Sequence, residues 1–334
     1  MRNTNLERQM PYPLKEVAVM EANYETPGLA TKTTHRAKES IINTDNLYRS
    51  VWGKMPDNEN AEMDMNYSVP ILTRPREVNV EFGMHYTAEI NGTDIELDAA
   101  LNDIDKIVYD AIESIYLTAY EEFHETQVIM TASTIYRVLA ADEGKKATPG
   151  KAAFQIDASI EKMRRIFMTV TPTDDLVAKY PKLKGVDING PMLSAERIRD
   201  TVQGHHGVYW VINAMPILYR FSDRLDQVAR VPLKYLRNPT RFTLEKCIIR
   251  QYLVRRIEAA KSYQKSGKRN NGILYETMYE DILKTKSPTA KMREKFCAKV
   301  RDILDGFVKS QYIGGYELER GPRNSLRKIS ISIS

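Results

Sequence analysis

The sequence has few of the residues that disulfide frameworks and membrane spans require. Only two cysteines, Cys247 and Cys297, occur in 334 residues. Both fall at or beside predicted helical apolar stripes, so we expect buried, reduced thiols in a cytoplasmic protein. No apolar run approaches the roughly 20 residues that cross a bilayer. The polar residues 1–5 predict no secretory signal.

Motifs of nucleotide-driven and metal-dependent enzymes are also missing. No G-x-x-x-x-G-K-[ST] phosphate loop occurs, so we expect neither an ATPase nor a helicase. His205 and His206 are adjacent, which in a strand points their rings to opposite faces, and no Cys/His cluster stands nearby. None of the 19 tyrosines lies in a context typical of a nucleophile. The sequence therefore predicts no metal, no other cofactor and no enzymatic activity.

Charge is distributed very unevenly along the chain. Residues 230–334 contain 24 Lys/Arg and 10 Asp/Glu, a net charge of +14, whereas the remaining residues have a net charge of −9. Residues 81–126 contain 12 acidic residues and one lysine. A basic C-terminal part of this size favours a polyanionic partner, most often nucleic acid, over a merely solvated lysine-rich surface.

The N-terminal part has little apolar periodicity. Residues 1–75 are predicted to be a poorly ordered tail, in which residues 41–52 could form a short helix or docking segment. Residues 78–95 have a strand-like pattern, and Asn91-Gly92 predicts a hairpin turn.

Residues 76–213 are predicted to form a first winged-helix domain. An amphipathic helix begins near Asn102, and two further helices follow Thr131 and Thr148 as capping residues. Residues 166–170 and 208–212 are predicted strands, with residues 171–207 between them as an unusually long wing. The acidic residues Asp103, Asp105, Asp110 and Glu113 are interpreted as a solvated or protein-contacting face.

Residues 214–242 are predicted to connect this domain to a second winged helix, residues 243–334. The same order of elements repeats there and ends in a helix capped by Ser287, with an apolar stripe that begins at Met292. Alternating apolar and polar residues on both sides of a turn at 321–324 then predict a hairpin. The repetition predicts an α+β fold with two tandem winged-helix domains.

Five short segments of the two predicted domains and their connector can be compared with known proteins: DKIVYDAI (105–112), SIEKMR (159–164), MPILY (215–219), YLVRRI (252–257) and ILYETMY (273–279). They resemble segments of the tandem winged-helix replication initiator (Rep) proteins of plasmids, integrative elements and phages from Gram-positive bacteria. The resemblance covers residues 95–333 and implies binding to double-stranded origin repeats and recruitment of host replication proteins. The long tail and the 171–207 insert depart from the compact family pattern, which leaves monomer and homodimer both open.

The basic helix and hairpin of the second domain supply most of the predicted DNA contacts. Cations on a helix in the major groove can donate to guanine edges, and hairpin cations can reach phosphates. The candidates in the second domain are Lys291, Arg293, Lys295, Lys299 and Arg301 on the helix and Arg320, Arg323, Arg327 and Lys328 on the hairpin. Those in the first domain are Lys145, Lys146, Lys151, Gln155 and Lys162.

Three functional interpretations remain open at this level. The first is a non-enzymatic, sequence-specific DNA-binding initiator of replication of a plasmid or mobile element. The second is a winged-helix transcriptional regulator or phage accessory protein. The third is an endonuclease-type rolling-circle initiator, which would need a tyrosine nucleophile and metal ligands that the sequence does not single out.

Overall fold

The structure is a computed structural model. It describes residues 37–43, 67–71, 78–84, 87–90, 93–96, 101–141, 148–172, 177–178, 181–185, 188–202, 205–224, 228–236, 242–265, 272–285, 287–321 and 326–333. Helices and sheets are both present throughout this part of the chain, which confirms the α+β class.

Five strands precede the first helix. They are β1 (Glu39–Asn43), β2 (Tyr67–Ile71), β3 (Val78–Met84), β4 (Thr87–Ile90) and β5 (Thr93–Glu96). β4 and β5 pair antiparallel with Ile90 opposite Thr93, as the predicted Asn91-Gly92 turn requires. Residues 41–43, where a short helix or docking segment was expected to begin, form a strand, because β1 pairs with a strand 189 positions later, Glu39 lying opposite Pro232 and Asn43 opposite Val228. Residues 44–52 lie outside the described residues.

The first helical unit runs from α1 to β10. It contains α1 (Asp103–Phe123), β6 (Val128–Met130), α2 (Ala132–Ala140), α3 (Gly150–Met163), β7 (Ile166–Pro172), β8 (Ile188–Pro191), β9 (Ala195–Val202) and β10 (His205–Ile212). Asn102 and Thr131 cap α1 and α2 through capping boxes, which fixes where these helices begin. The cap predicted at Thr148 is not formed, since α3 begins after Pro149 without a side-chain cap.

The strand pairing of this unit differs from the predicted one. β6, β10 and β9 form a three-stranded sheet in that order. β7, predicted to belong to this sheet, instead joins β2, β3 and β8 in a separate four-stranded sheet. The hairpin is therefore β9–β10, with Val202 opposite His205, and the long wing predicted for 171–207 is wrong.

The second unit follows a connector with its own elements. The connector contains α4 (Ile217–Arg224), β11 (Val228–Pro232) and a 3₁₀ turn (Leu233–Leu236). The unit itself contains α5 (Leu244–Lys265), β12 (Gly272–Leu274), α6 (Tyr275–Leu283), α7 (Ala290–Lys309), β13 (Gly315–Arg320) and β14 (Leu326–Ser332). Its sheet order is β12-β14-β13. In this sheet, as in β6-β10-β9, the strand that comes last in the chain lies between the other two.

One continuous apolar core runs through both units. It includes Ile112 and Trp210 of the first unit and Leu253 and Phe307 of the second, all almost completely buried. β1 is part of this core, since Ile42 is fully buried and the Ile41 amide donates to the Ser114 hydroxyl of α1 at 2.8 Å. Because the same core continues from one unit into the other, it does not test the predicted domain boundaries, which stay a prediction.

Two arginines of α5 reach from the second unit into the first. The Arg250 guanidinium, 1% exposed, donates to the Leu139 carbonyl at the end of α2 and, at 2.7 Å, to the Leu236 carbonyl of the connector. Arg255 forms a buried ion pair with Asp110 of α1. A buried guanidinium must have partners, because an uncompensated charge in the interior costs several kcal/mol. These contacts therefore fix the position of α5 against α1 and α2.

The interpretation of the α1 carboxylates as a solvated or protein-contacting face is wrong for three of the four, and Asp103, with a side chain that is 22% exposed, is the exception. Asp105, Asp110 and Glu113 are at most 2% exposed. Asp110 pairs with Arg255, and Asp105 accepts a hydrogen bond from the Lys162 ammonium at 2.9 Å. The sequence shows the charges but not their partners, which come from α3 and α5. Part of the acidic excess of the first unit is therefore neutralised inside the protein.

Both cysteines are buried and free, as the sequence predicts. Among the described residues, no helix combines the length and apolar character needed to cross a membrane.

Replacing Arg255 with methionine is expected to destabilise the fold by about 3–5 kcal/mol, because Asp110 would remain buried without this cation. Asp110→Asn/Arg255→Met should recover part of the loss. The control is Arg230→Met, which breaks a half-exposed pair with Glu121 and should cost at most about 1 kcal/mol. Urea unfolding measures all four proteins, and equal losses for Arg255→Met and Arg230→Met would show that the buried pair does not hold the units.

Candidate nucleic-acid interface

The first turn and a half of α7, called its exposed start, lies at the surface. Every residue from Ala290 to Lys295 is exposed, whereas Phe296, Val300 and Ile303 are buried. Thr289 caps this end, and its hydroxyl accepts a hydrogen bond from the Met292 amide at 3.3 Å. The predicted cap at Ser287 is thus displaced by two residues. The predicted inward position of Met292 is also wrong, since its side chain is 42% exposed.

Three of the predicted cations lie on the exposed start of α7. Lys291, Arg293 and Lys295 are exposed, and none forms an ion pair with another described residue. Lys291 and Lys295 are four residues apart and share one face of the helix. This end of α7 can therefore offer three cations to a polyanion without first breaking an ion pair within the described chain.

The middle of α7 is occupied differently. Lys299 pairs with Glu245 at the start of α5, and the neighbouring Lys246 pairs with Asp302 at 2.7 Å. Lys299 is therefore a weaker candidate for DNA contact than the sequence indicated. Arg301 is exposed, and its positive charge opposes the rise in the pKa of Tyr275 and of Tyr316.

The β13–β14 hairpin is tied to α7 by one side chain. The Tyr316 hydroxyl donates to the Asp305 carboxylate at 2.7 Å. Partial burial and this carboxylate raise the pKa of Tyr316 to about 12, so the donor stays protonated at neutral pH. The bond holds the hairpin beside the helix.

Two of the predicted hairpin cations are exposed on β13 and β14. These are Arg320 and Arg327, whereas Lys328 pairs with Glu319 at 3.1 Å. Hydrogen bonds from Ser330 and Lys328 lower the pKa of Glu319. Arg323, at the hairpin tip, lies outside the described residues.

The back of α7 is held by α6. Tyr279 contacts Phe296 edge to face at 5.6 Å between ring centroids, and its hydroxyl lies 3.5 Å from the Cys297 sulfur. Tyr275 is buried under the same helix. These aromatic contacts anchor the buried part of α7, so its exposed start has a fixed origin.

In the first unit α3 takes the place that α7 takes in the second. Lys151 is exposed and Gln155 is half-buried on its first turns, which keeps both available as predicted contacts. The prediction for Lys162 is not compatible with the structure, because its ammonium is buried against Asp105. Lys145 and Lys146 lie outside the described residues.

Phe154, which is 49% exposed on α3, was not among the residues predicted to contact DNA. A phenylalanine at a position that faces away from Ala152 and Ile156 could have been recognised from the helical period alone.

The hairpin strand β10 holds α3 through Trp210. The buried indole N–H donates to the Asp157 carboxylate of α3 at 2.8 Å. Burial raises the pKa of Asp157, although the Trp210 hydrogen bond and the Arg197 charge oppose that shift. Arg164 and Arg197 lie over the Trp210 ring, 5.8 and 5.6 Å from its centroid. These contacts lock the end of α3 to its sheet.

His205 and His206 open β10 next to the hairpin turn. In the part of the chain that is described, no group of three or more His, Cys, Asp or Glu side chains could hold a metal ion.

Comparisons with known proteins identify no family. No protein-family model matches the chain, and no curated protein matches it. Two crystal structures of domains 2 and 3 of RctB are similar in shape. One covers 87% of this chain and 98% of its own, with a TM-score of 0.44 and 9% identity. The other covers 85% and 96%, with a TM-score of 0.41 and 9% identity. Likenesses at this level establish neither the family nor the function.

Acid is expected to remove the stabilisation that Glu161 provides at the end of α3. Burial alone would raise the pKa of Glu161, but the hydrogen bonds and charges of Arg164 and Arg165 outweigh burial and lower it. Because the pKa of Glu161 is lower in the folded than in the unfolded protein, the ionised carboxylate stabilises the fold at any pH above the unfolded pKa of 4.5. This stabilisation is lost as the pH falls through the pKa of the folded protein. The stability difference between the wild type and Glu161→Gln should therefore shrink between about pH 6 and pH 3.

Urea midpoints across this pH range measure the difference. The converse variant, Arg164→Gln/Arg165→Gln, leaves the buried carboxylate without its cations and should lose less stability in acid than at neutral pH. A constant difference between the wild type and Glu161→Gln would contradict the assignment.

Proposed function

We propose that this chain is a non-enzymatic, sequence-specific protein that binds double-stranded DNA and initiates replication of a plasmid or mobile element. Its partners would be repeats at the origin and host replication proteins. α7 would enter the major groove, with Arg320 and Arg327 of the hairpin on neighbouring phosphates. The observation that best supports this proposal is the exposed start of α7, which carries three cations.

The charge and shape of this end favour duplex DNA as the ligand. The major groove is about 12 Å wide and admits one α-helix. The exposed start of α7 can present its side chains to this groove. Exposed arginine and lysine can donate to guanine O6 and N7, and phosphates take the flanking cations. Water solvates these exposed cations in the free protein, and a nucleic acid gains affinity from them through counterion release.

Two other functions use the same binding surface. A transcriptional regulator or phage accessory protein also needs only specific DNA binding. A rolling-circle nuclease would in addition need a tyrosine nucleophile and metal ligands. Among the described tyrosines, Tyr109, Tyr275 and Tyr312 are buried, and burial raises the pKa of each. These three are unsuited to nucleophilic attack. The non-enzymatic function is preferred because the sequence places no tyrosine in a context typical of a nucleophile.

The variant Lys291→Ala/Arg293→Ala/Lys295→Ala is expected to bind duplex DNA at least ten-fold more weakly at about 100 mM salt, because each lost phosphate contact removes counterion release. If all three cations contact phosphate, the slope of log K against log[salt] should flatten by about 2–3. Fluorescence anisotropy with a random-sequence duplex, measured from about 50 to 300 mM salt, gives both quantities.

The charge-matched control is Lys182→Ala/Lys184→Ala/Lys309→Ala. All three lysines are exposed, and Lys309 lies about 27 Å from Lys291 along α7, at a rise of about 1.5 Å per residue. The control removes the same net charge and should retain most of the affinity and salt slope. Equal losses in both variants would reduce the interaction to general attraction, and no binding to any duplex would contradict the proposed function.

Replication and regulation are distinguished in cells. A plasmid that carries this coding region with its flanking DNA, but no other origin, should replicate autonomously, and the α7 triple variant should abolish replication. Failure to replicate, together with specific binding in vitro, would favour the regulator. A covalent tyrosyl adduct on metal-dependent nicking of supercoiled DNA would instead establish the nuclease.

A further inference from the structure

Exposed apolar side chains occur on the first turns of the third helix in both units. The large apolar side chains most exposed among the described residues are Tyr120, Phe123, Phe154, Leu274, Met292 and Val308. Phe154 is the fifth residue of α3, and Met292 is the third residue of α7. Each therefore lies on the first turns of the third helix of its unit, the helix that the proposed function places in the major groove.

Neither side chain contributes to the core. Phe154 is 49% exposed, although Ala152 and Ile156 on either side of it are buried. Met292, in the exposed start of α7, is 42% exposed. Apolar side chains that are exposed singly need no explanation. These two are distinguished by their place, since both lie on the first turns of the third helix of a unit.

The surroundings of both side chains are cationic. Lys151 precedes Phe154 by one helical turn and is exposed. Met292 lies between the exposed Lys291 and Arg293. A ligand must therefore combine negative charge with small apolar groups. Duplex DNA does so, because phosphates line the groove and the thymine 5-methyl is the apolar group that base pairs present in its floor.

We propose that Phe154 and Met292 contact thymine 5-methyl groups in the major groove, so that the recognised DNA has a thymine under the start of each of α3 and α7. This inference rests on the proposed function. It adds an apolar base contact to the first unit, beside the candidate contacts Lys151 and Gln155 on the same helix. Apolar contacts would then supply sequence preference, while Lys291 and its neighbours supply most of the affinity.

The test replaces thymine by uracil. A preferred duplex is first selected from a random library with the wild-type protein, and the same duplex is then prepared with every dT replaced by dU. This change removes only the 5-methyl groups and keeps base pairing and phosphates. The wild type should bind the dU duplex about four-fold more weakly for each contacted methyl, hence about fifteen-fold for two.

Phe154→Ala and Met292→Ala should each lower the dT/dU affinity ratio to about four, and the double variant should lower it to about one. Leu274→Ala and Val308→Ala remove exposed apolar side chains elsewhere and should keep the wild-type ratio. Because Phe154 and Met292 are exposed, their truncation should leave the urea midpoint unchanged, which checks that each variant is folded.

The outcomes separate this inference from the proposed function. A wild-type ratio of one, a selected site without thymine, or an unchanged ratio in the double variant would overturn the methyl contacts while DNA binding stands. Absence of binding to any duplex would overturn the proposed function itself and the inference with it.

Discussion

The buried guanidinium groups of α5 are the interactions on which the arrangement of the two units depends. Arg250 joins the end of α2 to the connector, and Arg255 pairs with Asp110 in the middle of α1. Each cation is buried, so each needs its partner from the other unit to be stable there. The apolar contacts around them are adaptable, whereas a charged hydrogen bond has one geometry. The pairs therefore specify which face of α5 meets the first unit.

This arrangement places the two candidate reading helices on one core. α3 is held by Trp210 and Asp157, and α7 by Tyr279 and Phe296. In both cases the buried end of the helix is anchored and the N-terminal end is exposed. The same solution appears twice with different side chains, which fits a duplicated unit whose sequence has diverged. Cations dominate the exposed end in the second unit, and an aromatic ring is prominent in the first.

Periodic elements could be predicted from the sequence, and pairings between distant segments could not. The repeat of apolar residues from Ile104 to Ala119 predicted α1, and the alternation from Leu326 to Ile333 predicted β14. Both patterns are local consequences of helix and strand geometry. β7 was assigned to the wrong sheet because an apolar run does not encode its partner. β1 was missed because five residues show too little alternation to signal a strand.

The sequence by itself determined the α+β class, the repeated order of elements, the position of the basic helix and hairpin, and the buried state of both cysteines, since composition and periodicity carry that information. Only the tertiary structure decided which charges remain at the surface. Lys162, Asp105 and Asp110 look like solvent-exposed residues in the sequence, yet they are buried as partners of one another or of Arg255. Lys291, Arg293 and Lys295 remain exposed because the buried part of α7 begins only at Phe296. Which helical residue is the first to be buried depends on the elements that pack against the helix, and those elements are distant in the sequence.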